Sequence, residues 1–168
     1  ALTGAKAEQL FVDRGELIRR IANRLDVSQH DLEGRLETFL TESLMLKKQI
    51  AKLQRQSMLS EAEGILAQAK EIKGIHLVAA NTSLSKPEYL REMADWLMSK
   101  LNSGVIVLSL IQKGRPILIA MVSKDLVKRG FHADKIINEV AYVLDGRGGG
   151  NAELAQAGGK NVEKLNEA

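Results

Sequence analysis

Between Ser28 and Gly74 the chain has no proline and only two glycines, Gly34 and Gly64. Nothing in that stretch forces a helix to stop once it has begun. Ser28, with Asp31 three residues on, offers a variant of the capping box to start one. Such a helix could run for roughly 45 residues, on the order of 65 Å at about 1.5 Å per residue. Within it Leu32, Leu36, Phe39, Leu46, Ile50 and Leu53 alternate at spacings of three and four, with Ser43 as the one gap, as a coiled-coil seam does. Beyond Leu53 the seam meets Ser57 and Ser60, and the apolar stripe re-registers through Met58, Ala62, Ile65, Leu66 and Ala69. The coiled coil is therefore expected to stop near residue 56, and the helix to continue against a different surface.

A polar helix of this length does not stand alone in water, so the seam needs a cover. From Ala5 to Leu25 the apolar residues Leu10, Phe11, Leu17, Ile18, Ile21 and Leu25 mark a second amphipathic helix, with Arg14, Arg19, Arg20 and Arg24 among them. Folding this helix back as an antiparallel hairpin is the expected solution. A second copy of the chain is the rival.

Gly74 closes the helical half. Ile75 to Ala80 reads as a buried strand, and Pro87 opens a helix carrying Leu90, Met93, Ala94, Leu97, Met98 and Leu101 on one face. Val105 to Ile111 and Ile117 to Val122 are β-branched runs flanking Gln112-Lys113-Gly114-Arg115-Pro116, a hairpin with a basic tip. Strand, helix and strand in succession predict a parallel pair that sets Leu77 beside Val107, with the hairpin as an antiparallel edge. A helix from about Ala133 to Leu144 follows, and Lys160 to Ala168 is expected to begin a last one. The predicted class is α+β: a long-helix antiparallel coiled coil over 1–73, then a small globular α/β domain with a mixed sheet over 74–168.

Six of the fourteen glycines fall between Asp145 and Lys160. Glycine at that density marks backbone that takes positive φ or lies close against something else. Neither phosphate-binding glycine motif fits. A helix rather than a strand precedes the run, Asn151 stands where a dinucleotide fingerprint has its last glycine, and Lys160 is followed by Asn161 instead of Ser or Thr. One reading leaves Gly146 as the C-cap of the preceding helix and the rest as a connector. The other makes Arg147 and the amides of Gly148, Gly149 and Gly150 a concave nest for phosphate or sugar, with Asn151 hydrogen-bonding a base.

Charge favours the second half as a binding surface. Residues 1–71 carry eleven Lys or Arg against eleven Asp or Glu, whereas 72–168 carry thirteen against ten. Within 104–130, Lys113, Arg115, Lys124, Lys128 and Arg129 face only Asp125, the footprint a phosphate backbone recognises, though also a common solvated face. The chain has no cysteine, and its three histidines, at 30, 76 and 132, lack ligand spacing, which argues against a zinc site and a thiol nucleophile. Trp96, off the main stripe of its helix, is a candidate stacking or rim residue. Apolar runs are too short to span a bilayer and no leader opens the sequence, so a cytoplasmic location is expected.

The runs Val122-Ser123-Lys124-Asp125, Gly146-Arg147-Gly148-Gly149-Gly150 and Ala155-Gln156-Ala157-Gly158-Gly159 resemble the C-terminal module of the bacterial alanyl-tRNA synthetase family. That module joins a coiled coil to a DHHA1-type globular domain shared with DHH-type phosphoesterases. The resemblance extends over nearly the whole chain, with Ala1 to Gly4 similar to the exit from an editing domain. Asn151 stands where the phosphoesterases usually have His, which favours the synthetase branch. The resemblance implies a non-catalytic module that grips the elbow of alanine tRNA and in some members mediates homodimerisation. ATP, magnesium and zinc would then serve only the parent ligase, through upstream catalytic and editing domains of the same chain. Carried onto this sequence, the RNA-binding residues are Lys113, Arg115, Lys124, Lys128, Arg129, Arg147, Gly148, Gly149, Gly150, Asn151 and Lys160. Alternatives from other classes are a structural dimerisation module and the substrate-binding domain of a phosphoesterase.

Overall fold

The computed structural model describes residues 4–166, which divide into two compact units, residues 1–53 and 54–168. In the first unit, α1 spans Ala5–Arg24 and α2 begins at Leu32. The break between them is a left-handed stop. Asp26 takes φ 54°, and Val27 N–H returns to the carbonyl of Ala22, the long bond of a Schellman motif. Ser28 then accepts from Asp31 N–H through its hydroxyl oxygen and donates to the Asp31 carboxylate at 2.6 Å, so the cap expected from the sequence is made.

The expected antiparallel hairpin does not cover the seam. Leu36 is 48% exposed and Leu53 64%, with Phe39, Leu46 and Ile50 between these values, and Leu10, Leu17, Ile18 and Ile21 of α1 are likewise exposed. Ala22, at the Schellman turn, is the only buried side chain among the described residues of this unit. The heptad pattern specifies an apolar stripe but not its partner, and here the stripe stays in solvent.

α2 spans Leu32–Leu66, 35 residues, and ends eight residues before Gly74, the stop that glycine and proline punctuation alone would set. Ala67 to Ala69 form a turn into β1, Lys70–Ile72, a short strand that the proline-free reading passes over. From Gln54 onward α2 belongs to the second unit. Met58 and Ala62 are fully buried there, as the re-registered stripe requires. Glu61 accepts from Ser83 N–H at 2.8 Å and from its hydroxyl at 3.0 Å, Tyr89 donates to Gln54 at 3.2 Å, and Arg55 pairs with Glu92 at 2.7 Å. These bonds tie the last four turns of α2 to the globular unit.

That unit continues with β2 (Ile75–Asn81), α3 (Pro87–Leu101), β3 (Val105–Gln112), β4 (Arg115–Val122), α4 (Lys124–Lys128), α5 (Ala133–Val143), β5 (Arg147–Gly150) and β6 (Leu154–Gly158). The six strands form one mixed sheet in the order β1-β2-β3-β4-β6-β5, parallel only between β2 and β3. Leu77 pairs with Val105 and Ala79 with Val107, a slip of two residues from the expected register that keeps every side chain on its face. The hairpin is not an edge: β6 pairs along β4, and β5 is the edge strand.

Alternation along β3 and β4 sorts the core into two layers. Ile106, Leu108, Leu110 and Ile119 meet Met58, Ala62, Leu90, Met93 and Leu97 of α2 and α3 on one face. Leu118, Ala120 and Val122, with Ala155 and Ala157, meet Leu126, Ile137, Ala141 and Leu144 on the other. In place of the expected final helix a 3-10 turn covers Glu163–Asn166, residues 160–162 are not helical, and residues 167–168 of that prediction, like Ala1 to Thr3, lie outside the described residues.

Candidate nucleic-acid interface

The turn between β3 and β4 places Lys113 at φ 50° and Gly114 at φ 73°, the two left-handed residues of a type I′ hairpin turn. It holds Lys113 and Arg115 at one end of the sheet. Two further segments, residues 145–147 and 158–160, converge on the same end. Asp145 takes φ 52° after α5, and Gly146 N–H bonds to the carbonyl of Ala141 at 2.8 Å, so the left-handed C-terminal position falls to Asp145 and not to the expected Gly146. Gly146 is required for another reason. A Cβ there would lie 2.1 Å from the carbonyl oxygen of Gly158, and one on Gly159 would lie 2.7 Å from Leu144 Cβ. Gly159 N–H donates to Pro116 at 2.9 Å and Lys160 N–H to Leu144 at 2.9 Å, which knits the end of β6 to both β4 and α5.

The result is an open cleft with a cavity volume of ≈ 1010 Å³, lined by Lys113, Arg115, Arg147 and Lys160 around Gly146, Gly158 and Gly159, with Asp145 as its one carboxylate. All four cations are exposed. Among the described residues the one ion pair within 4.0 Å joins Arg55 to Glu92, so none of the four is neutralised by a carboxylate. A cleft with a formal surplus of three positive charges focuses field outward and draws an anion with several charges.

Lys124, Lys128, Arg129 and Asn151 do not join this cleft. β4 runs from Arg115 to Val122, and β6 returns antiparallel from Leu154 to Gly158, so the two groups lie at opposite ends of β4, about 23 Å apart at about 3.3 Å per residue. Lys124, Lys128 and Asn151 line a second hollow of ≈ 870 Å³ with Arg91, facing Asp95, Asp125 and Glu153. Three cations against three carboxylates leave it with no net charge. The Asp125 carboxyl is held below its ordinary value by the Ser103 hydroxyl, which donates at 2.6 Å, and by Ser123. Arg129 caps α4 and lines neither hollow.

The triple glycine is strand, not a concave nest. Gly148 lies against Ile137 of α5, with room for a Cβ only at 3.0 Å, and a Cβ on Gly150 would meet Leu154 oxygen at 2.3 Å. Gly149 alone faces open space. These glycines let β5 lie flat on β6 beneath α5. Asn151 closes the β5–β6 hairpin, its side-chain oxygen accepting from the N–H groups of Glu153 and Leu154 at 2.9 Å each, a use of asparagine that needs no base. Trp96 packs half-buried against the α2–α3 layer, with Lys100 Nζ 5.5 Å from its ring centre. The convergence of Lys160 and Arg147 on the hairpin tip was not legible from charge runs, because it depends on the pairing of β6 with β4. The alternation of Leu154, Ala155, Gln156 and Ala157 was the available signal for that strand.

Among the described residues no group of three or more His, Cys, Asp or Glu could hold a metal ion, and no helix is long and apolar enough to cross a membrane. Over its full length the chain is 39% identical to an alanine–tRNA ligase of Geobacillus thermodenitrificans and 40% identical to one of Acetivibrio thermocellus, and it spans 19% of each of these relatives. Among solved structures, the C-Ala domain of Aquifex aeolicus alanyl-tRNA synthetase superposes with a TM-score of 0.54 at 31% identity, covering 59% of this chain and 88% of that one. Residues 73–168 match the DHHA1 domain family. That match covers more than half of the chain, and the chain belongs to the DHHA1 domain family.

Proposed function

We propose that this chain is a non-catalytic, tRNA-binding module of an alanine–tRNA ligase, and that the cleft between the hairpin tip and β5 holds the RNA backbone at the tRNA elbow. The observation that carries the reading is the cluster of four unneutralised cations, Lys113, Arg115, Arg147 and Lys160, in a chain whose full length aligns with 19% of the length of such ligases. Phosphate contacts of this kind position an RNA without reading its bases. On this reading the ligase's ATP, magnesium, zinc and alanine engage other parts of the enzyme, and the module helps its catalytic and editing centres act on one tRNA.

The test is titration of fluorescently labelled alanine tRNA with the chain at a series of salt concentrations. Four phosphate contacts predict that log K falls against log salt with a slope of about −3. An intact tRNA should outcompete both an RNA duplex of equal length and a tRNA whose D and T loops are unpaired. Equal affinity for all three at every salt level would refute elbow recognition. A slope near zero would refute the cleft.

A second reading rests on the uncovered stripe of α1 and α2. On it two copies of the chain associate through these helices. Sedimentation at micromolar concentration, with Phe39→Glu and Leu46→Glu expected to give monomers, tests it independently of RNA.

A further inference from the structure

The cleft explains how a phosphate backbone is held but supplies no flat surface for a base. Tyr142 supplies one beside it. It lies in the last turn of α5, and its carbonyl accepts the N–H of Asp145, which lines the cleft. Its ring is 85% exposed, the most exposed of the large apolar side chains among the described residues. α5 buries Ala133, Ile137 and Ala141 against the sheet, so the core does not use Tyr142 at all. An exposed ring that packs nothing, one helical turn from an unneutralised four-cation cleft, is what a nucleic-acid surface needs in addition to charge. In a helix the side chain leans back toward the N-terminus. The ring is therefore set back along α5 from Asp145 and the cleft it lines.

We infer that Tyr142 is a stacking platform for an unpaired base of the bound RNA. This deepens the proposed function and rests on it. The one other tyrosine, Tyr89, is half-buried and bonded to Gln54, so the two are chemically distinguishable. Stacking adds affinity without neutralising a phosphate, whereas Arg147 and Lys160 act through charge.

The experiment measures alanine tRNA binding across a salt series for the unaltered chain, Tyr142→Ala and Tyr142→Phe. Tyr142→Ala should weaken binding about tenfold at every salt concentration with the slope unchanged, and Tyr142→Phe should bind within about twofold of the unaltered chain. Tetranitromethane should nitrate Tyr142 in the free protein, and saturating tRNA should protect it. Binding by Tyr142→Ala within twofold of the unaltered chain, an equal loss in Tyr142→Phe, or nitration of Tyr142 unaffected by tRNA would each overturn the inference while leaving the cleft standing. If the unaltered chain fails to bind tRNA, the proposed function falls and takes this inference with it.

Discussion

Removing residues 1–73, which leaves the stretch matching the DHHA1 family, should leave a protein that does not fold stably, whereas removing only residues 1–53 should not. The difference is the segment from Gln54 to Lys73. It contributes Met58 and Ala62, both 0% exposed, and the partly buried Leu59, Ile65, Leu66 and Ala69, all packed on the layer formed by Leu90, Met93 and Leu97. Burying a methionine contributes about 1.5–3 kcal/mol, and each smaller or half-buried apolar side chain about 1 kcal/mol, so these six residues supply roughly 7 kcal/mol. Deletion also unpairs β1 from β2 and removes the Glu61 carboxylate from Ser83. Small domains are stable by only about 5–15 kcal/mol in total, so the loss takes most or all of that margin. Circular dichroism melts of residues 54–168 and 74–168 would decide the matter. We expect a cooperative transition for the longer piece and none, or one lower by more than about 20 °C, for the shorter. Comparable melting of both would show that the second half of α2 is an appendage to the core and not part of it.

The double substitution Arg147→Ala with Lys160→Ala should shallow the salt slope for alanine tRNA from about −3 toward about −1.5 and leave the melting temperature unchanged, because both side chains are exposed. An unchanged slope would place the contacts elsewhere. Gly146→Ala, whose Cβ would lie 2.1 Å from Gly158 oxygen, should destabilise by about 2–4 kcal/mol, while Gly149→Ala, which meets nothing within 4 Å, should be neutral within about 0.5 kcal/mol in urea unfolding. Because its hydroxyl partners depress the Asp125 carboxyl in the folded state, that group stabilises above its ordinary pKa of 3.8 and loses the contribution as pH falls through the folded value. Unfolding followed between pH 5 and pH 2 should therefore show a smaller acid-induced loss in Ser103→Ala than in the unaltered chain.

What the sequence revealed about the fold follows the distinction between local and non-local signals. The turn at Lys113-Gly114, the start of α3 at Pro87 and the cap at Ser28 are decided within four residues, and each is where the residue chemistry places it. The re-registering stripe at Met58 and Ala62 correctly announced a new packing partner, though not that the partner is the sheet unit itself. β1, β5 and β6 escaped because strands of three to five residues, two of them rich in glycine and alanine, carry little β propensity of their own. β1 and β6 exist because β2 and β4 offer them edges, and β5 because β6 then offers it one.

The site shows the same limit from the side of charge. Lys124, Lys128 and Arg129 follow Lys113 and Arg115 closely in the sequence and read as one basic patch. A strand of eight residues separates them, however, and a strand carries its two ends apart by about 3.3 Å per residue. Lys160 and Arg147 are distant from the hairpin in sequence yet share its cleft, because β5 and β6 bring Arg147 opposite Gly158 and Gly158 opposite Ile117. Glycines at 146 and 159 allow that approach, since a Cβ on either would collide with the neighbouring chain. On the proposed function, the glycine run contributes to binding by letting three backbones close on one another until four cations stand around a single hollow, and not by offering its own amides. If so, Gly159→Ala should weaken tRNA binding and stability together, while Gly149→Ala, with its amide as available as before, should leave both intact. A loss of binding in Gly149→Ala with stability unchanged would restore the exposed amides as the ligand.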